Sequence, residues 1–286
     1  MNKLFSVIIT ALLLSNATFA QRTDSITFAR SHWIKKRLAP KVKLYFYHFN
    51  AKNLFAANQN ISYVEVKNTG RRAIFALAAD SQKLITTENF AEKNKATAAI
   101  NGNFFDVKNG GAVDFVKVDK QIININRTEK SRAGHQTAAI VLLNGELSIK
   151  TWDGSADWEH HLLAENVLVN GPLLLSGGLR EPLDSNAFTR LRNPRTCVGI
   201  KRNGKVIMLT ADGRNENAAG LTLPELANVM HWLGCETAIN FDGGGSTTLY
   251  VKDFGENGIV NHPSDNKKWD HNGQRKVANV LLVKRK

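Results

Sequence analysis

Two Asn-Gly pairs constrain this chain most. Asn144-Gly145 separates Ile140–Leu143 from Leu147–Lys150, and Asn203-Gly204 separates Val198–Lys201 from Val206–Thr210. The tightest hairpin turns need positive φ at both central positions, which Asn and Gly accept at little steric cost. The runs on either side must then pair antiparallel. Further strands are expected at Lys43–Phe49, Ser62–Lys67, Arg72–Ala79, Thr97–Asn101 and Val277–Val283, with Asn68-Thr69-Gly70 turning Ser62–Lys67 into Arg72–Ala79. Helices are expected at 87–95 and from Thr222, where Thr222 and Glu225 form a capping box with Pro224 in the first turn. Leu226, Val229, Met230 and Leu233 share one face of that second helix, and Gly234 stops it. Many hairpins and few helices predict an α+β fold with a mostly antiparallel, strongly twisted β-sheet core and a few flanking helices.

Residues 1–20 read as a secretory signal. Lys3 precedes an apolar run from Phe5 to Leu14, and small residues follow at Ser15, Ala17 and Ala20. Cleavage after Ala20 would expose Gln21. The run is shorter than the roughly 20 residues that span a bilayer, and no later stretch is apolar enough to do so. An exported protein, periplasmic or extracellular, without stable membrane insertion is expected. Residues 21–60 then pack on, or lead into, a main domain at 61–286, and Lys35-Lys36-Arg37 reads as a solvated face. Composition, at 43% hydrophobic and 22% charged, is that of a globular chain and excludes a disordered one. The net charge of +13 favours an anionic substrate or surroundings. No nucleic-acid motif accompanies it, so no nucleic-acid partner is expected. Cys197 and Cys235 read as small buried core residues in preference to a disulfide. Oligomeric state stays open.

The polar clusters sit at expected strand ends. In Ile239–Tyr250 an apolar run delivers Asp242 to Gly243, Gly244 and Gly245, followed by Ser246, Thr247 and Thr248. Three glycines in a row lose much backbone freedom on folding. They serve either a glycine-rich hairpin or a cradle in which bare amides and hydroxyls hold an anion. Asn101 and Asp106 flank Asn103-Phe104-Phe105 and either bond the backbone or face a pocket. The two phenylalanines either stack on a sugar or fill the core. Arg195, after Asn193-Pro194, can grip a phosphate with two parallel bonds or lie on the surface. Asp212-Gly213-Arg214 is either a turn with a local ion pair or a second carboxylate and guanidinium for Asp242. His262 has the chemistry of a general acid or base, although a loop histidine is more commonly solvated. His160, His161 and His271 lack the spacing of a zinc site.

Read in order, these clusters resemble the phosphodiester glycosidase family. The series is Ile-Asn-Gly-Asn-Phe-Phe, Val-Asn-Gly-Pro-Leu-Leu, Asn-Pro-Arg-Thr-Cys-Val-Gly, Ala-Asp-Gly-Arg, Gly-Leu-Thr-Leu-Pro-Glu-Leu-Ala and Ala-Ile-Asn-Phe-Asp-Gly-Gly-Gly-Ser-Thr-Thr, closed by Asn261–Asp265 and Arg275. It runs from Thr97 to Val283. The resemblance implies a hydrolase that cleaves a sugar from a phosphate at the anomeric carbon. It implies Asp242 and Asp212 at that carbon, as nucleophile or base in an oxocarbenium-like transition state. Arg195, Arg214 and the Gly243–Ser246 amides would hold the phosphate, and Asn101 and Asp106 would take sugar hydroxyls. Thr247, Asn261 and Arg275 complete the implied substrate-binding set. No cofactor is expected. Two other functions stay open: a phosphodiesterase using calcium or magnesium at Asp106, Asp212 or Asp242, and a non-catalytic binder of anionic glycans.

Overall fold

The computed structural model describes residues 23–71, 73–126 and 132–286. The expected signal segment and Arg72 lie outside the described residues. Every strand pair is antiparallel, which is the expected α+β architecture. The strands form three sheets. The largest has eight strands in the order Ile34–Ala39, Val42–Leu54, Ala57–Lys67, Lys205–Ala211, Arg195–Lys201, Cys235–Asn240, Leu173–Ser176, Leu179–Arg180. A five-stranded sheet contains Ala138–Leu143, Glu146–Thr151 and Asn166–Asn170, and a four-stranded sheet contains Leu249–Val251, Ala98–Asn101, Asn279–Arg285 and Ala73–Ala79.

The main core lies where the three sheets meet. Val64 and Met208 of the first, Ile140 and Leu168 of the second, and Ile100 and Leu281 of the third belong to one buried cluster. Each sheet's other face has its own cover. Leu226, Val229 and Met230 of the Leu223–Trp232 helix, with Phe28 from the helical residues 23–30, cover the first. Phe90 and Ala91 of the Thr87–Lys93 helix cover the third, and Trp158 covers the second. The capping box at Thr222 forms as expected.

Two expectations change and one is refined. The basic run Lys35–Arg37 is solvated, as expected, and forms an exposed edge strand that pairs with Lys43–Tyr45. Charged side chains on an edge deter pairing with other chains, which is why the strand carries no apolar signature. The Asn203-Gly204 turn spans three residues, 202–204, instead of two. The Asn68–Gly70 turn joins strands of different sheets and makes no hairpin. There Asn68 donates to the Leu147 carbonyl at 2.7 Å and accepts from the Leu147 amide at 2.8 Å, tying the turn to a third sheet. Cys197 and Cys235 are buried free thiols, and burial pushes the Cys235 thiol up to about 12. No helix among the described residues is long and apolar enough to cross a membrane.

Candidate active site

The register of the large sheet gathers the polar clusters at one end. Ile61 pairs with Ala211, Ala211 with Arg195, Cys197 with Asn240, and Ile239 with Leu173. The chain therefore leaves the sheet there at Asp212, Pro194, Asp242 and Pro172. The four-stranded sheet brings Asn101 and Thr248 to the same place, because Leu249 pairs with Ile100.

Buried asparagines lace these ends together. Asn101 donates to the Asp242 carbonyl at 2.7 Å and accepts from the Thr248 amide at 3.1 Å and the Thr196 hydroxyl at 2.8 Å. Asn279 donates to the Asn103 side chain at 2.6 Å, and the Asn103 amide donates back at 2.9 Å. Asn240 donates to the Gly171 carbonyl. Asn261 donates to Asp212 at 2.8 Å and to the Thr247 carbonyl at 3.0 Å, and accepts from the Leu249 amide. Asn101 and Asn261 thus satisfy main chain that loses its ladder partners at the strand ends. Both side chains, including that of Asn101, for which the resemblance implied sugar hydroxyls, are turned to protein partners.

The three glycines give way to neighbours. A β-carbon on Gly243 would lie 2.6 Å from the Pro194 carbonyl oxygen. One on Gly244, which has φ +60°, would lie 3.0 Å from Arg214 Nη2, and one on Gly245 would lie 2.7 Å from Arg275 Nη2 and 2.2 Å from Asp265 Oδ1. Two guanidinium groups therefore rest against consecutive glycines. The amides are less available than expected. Gly243 N–H donates to Asp242 Oδ1 at 2.9 Å, Gly244 N–H to the Pro194 carbonyl at 2.9 Å, and Ser246 N–H to the Gly243 carbonyl at 3.2 Å. Side-chain cations, and not free amides, are what this loop presents beside Asp242.

Asp242 is half-buried at the foot of this loop. Burial pushes its carboxyl up to about 6, against the opposing pull of Ser246, the Gly243 amide and Arg275, and the Asp114 charge adds to the rise. The Ser246 hydroxyl lies against this carboxyl, and the buried hydroxyls of Thr247 and Thr248 complete no hydrogen bond. Arg214 donates from Nε and Nη2 to Asn193 Oδ1, and Arg275 makes a bidentate pair with Asp265 at 2.6 and 3.2 Å.

Three other expected residues serve the framework. Arg195 is buried and donates to the carbonyls of Leu221, Phe188 and Leu191 at 2.6–2.9 Å. Burial lowers its guanidinium to about 10. It braces the loop between Phe188 and Leu221 and is not set to grip a phosphate. Asp106 accepts from the amides of Lys108 and Asn109 and from the Asn109 side chain, closing its own turn. Asp212 is buried and accepts from Asn60, Asn261 and the His262 amide. So many donors leave it little capacity for a substrate. It holds the His262 loop, where the imidazole stacks on Trp269 at 3.9 Å between ring centres. Among the described residues no three His, Cys, Asp or Glu side chains group to hold a metal ion.

One pair escaped the sequence reading. Asp114 is buried, and its carboxylate lies 3.1 Å from His135 Nε2 at both oxygens and 2.5 Å from Gln136 Nε2. His135 lines a cavity of about 600 Å³ with Phe104, Phe188 and Pro172. Phe105 joins the core, so the two phenylalanines divide the roles considered for them. Residues 114 and 135 lie in separate loops with no spacing that links them, so no local pattern could have found the pair.

Residues 94–284 match the phosphodiester glycosidase family. The chain belongs to that family. Among its relatives, bovine N-acetylglucosamine-1-phosphodiester alpha-N-acetylglucosaminidase is 28% identical over 221 residues, 71% of this chain and 40% of the bovine protein. The human protein of the same name is 26% identical over 200 residues, 65% of this chain and 37% of the human one. This family member thus spans about two fifths of the length of those relatives. The zebrafish N-acetylglucosamine-1-phosphodiester alpha-N-acetylglucosaminidase catalytic domain, auto-inhibited by its pro-peptide, shares the fold. Its TM-score is 0.66 at 18% identity, with 94% of this chain and 93% of that one covered. A hypothetical protein from Synechocystis also shares it, with a TM-score of 0.66 at 14% identity over 88% of this chain and 64% of that one.

Proposed function

We propose that this protein is an exported glycoside hydrolase that cleaves the sugar C–O bond of a glycosyl-1-phosphodiester. One observation carries the reading: the Arg214 and Arg275 guanidinium groups rest on consecutive glycines beside a carboxyl whose proton affinity burial has raised. The cations suit the phosphate, and Asp242 suits the anomeric carbon. A phosphate monoester leaves readily, so stabilising its charge matters more than protonating it. Asp242 in its ionised form attacks the anomeric carbon or supports the positive charge that develops there. Thr247 supplies an unengaged hydroxyl at the same loop. The cavity beside Phe104 has a volume typical of small-ligand sites. The bovine and human relatives, named for action on N-acetylglucosamine-1-phosphodiesters, support the reaction class. Residues 1–20, read as a signal, support export.

The test is hydrolysis of a panel of sugar-1-phosphodiesters by wild type and Asp242→Asn. Release of free sugar by the wild type, falling about 10²–10⁴-fold in the variant, is expected. Equal rates for the two proteins would contradict the assignment.

A further inference from the structure

The Asp114–His135 pair has the geometry of an oriented base. Asp114 is 1% exposed, whereas the His135 side chain is 28% exposed and lines the 600 Å³ cavity. With Nε2 facing both carboxylate oxygens at 3.1 Å, the ring proton belongs on Nε2. The lone pair is then on Nδ1, which has no hydrogen-bond partner among the described residues. Gln136 Nε2, at 2.5 Å from Asp114 Oδ1, holds the carboxylate from a second side, and Phe104 packs edge-on against the imidazole at 4.7 Å. A buried carboxylate that fixes the tautomer of a half-exposed imidazole is the arrangement by which hydrolases raise a nitrogen's appetite for a proton. The Asp242 N–H donates to the Gly102 carbonyl at 3.2 Å, two residues before the Phe104 ring that packs against His135 at 4.7 Å, so the pair lies on the same strand end as Asp242.

We propose that His135 is a further catalytic residue, the base that takes the proton of the hydrolytic water, and that Asp114 positions it. The inference rests on the glycosidase reading above, with Asp242 as nucleophile. In the first step an Asp242 oxygen bonds to the anomeric carbon. The bond from that carbon to the bridging phosphate oxygen breaks, and its electron pair leaves with the phosphate. In the second step a water oxygen bonds to the anomeric carbon and the ester bond to Asp242 breaks, returning the electron pair to the carboxylate. The water proton passes to His135 Nδ1 and then to solvent. A phosphate leaving group needs no base, so only the second step depends on His135.

That asymmetry gives the test. Wild type and His135→Ala are mixed with a sugar-1-phosphodiester that the wild type turns over. The variant should release one equivalent of phosphate product in a burst, carry the sugar covalently on Asp242 by mass spectrometry, and turn over about 10²–10⁴-fold more slowly. Added imidazole should restore turnover and raise KM in proportion, leaving kcat/KM unchanged. His135→Gln, which can still donate to Asp114 but has no basic nitrogen, should behave alike, so a folding defect in the alanine variant does not decide the matter. Wild-type turnover in both variants would overturn the inference and leave the function standing. So would loss of both steps without a burst or rescue. A wild type that releases no free sugar from any such diester would overturn both.

Discussion

At the scale of single residues, Asp242 is the group whose environment matters most. Its carboxyl is pushed from 3.8 up to about 6 by burial, so the folded state favours the neutral form. A carboxyl raised in this way costs nothing below about pH 4, where it is protonated in both states. It destabilises the fold as pH rises through about 6 and ionisation is forced. Asp242→Asn should therefore stabilise the protein on the order of 2 kcal/mol at pH 8 and leave its Tm unchanged at pH 3.5. Activity should run the other way: wild-type kcat/KM should fall as pH drops below about 6, because protonation removes the nucleophile. Arg195 makes the contrasting case. Its three carbonyl contacts are internal, so Arg195→Met should lower stability by about 3 kcal/mol, leaving buried acceptors unpaired. Arg214→Ala should instead raise KM for the diester with little change in Tm. Thermal melts and steady-state kinetics on the two variants separate brace from ligand.

At the scale of elements, the loop from Gly243 to Thr248 works by absence of side chains. Gly244→Ala would meet Arg214 and strain a position at φ +60°. A left-handed position costs a residue with a β-carbon about 1–2 kcal/mol, and the displaced guanidinium should weaken substrate binding as well. Titration of KM and Tm on this variant checks both effects. The elements themselves were largely legible beforehand. The Asn144-Gly145 turn, the Thr222 capping box and the strands around them follow from local backbone rules. The partition into three sheets was not, because Asn68–Gly70 has ordinary turn chemistry and only its bond to Leu147 reveals a crossing between sheets. The same limit explains the site. Asp242 and its glycines announce themselves in one short run. Asn101, Asn261, Arg195 and Asp212 have the residue types of a binding site and are engaged by strand ends and loops that no one-dimensional pattern displays. Asp114 and His135 carry no signal until the fold brings them together.

At the scale of the whole molecule, the net charge of +13 favours the approach of anions. kcat/KM for a charged diester should fall as salt rises from low to physiological strength, since the screening length shortens to about 8 Å. A neutral aryl glycoside should show no such slope. The decisive measurement concerns which bond breaks. Hydrolysis of a turned-over sugar-1-phosphodiester in water enriched in heavy oxygen, analysed by mass spectrometry, reports it directly. Label in the free sugar, absent with Asp242→Asn, is the result predicted by attack at the anomeric carbon. Label in the phosphate would mean that the P–O bond is cut, and would contradict the account.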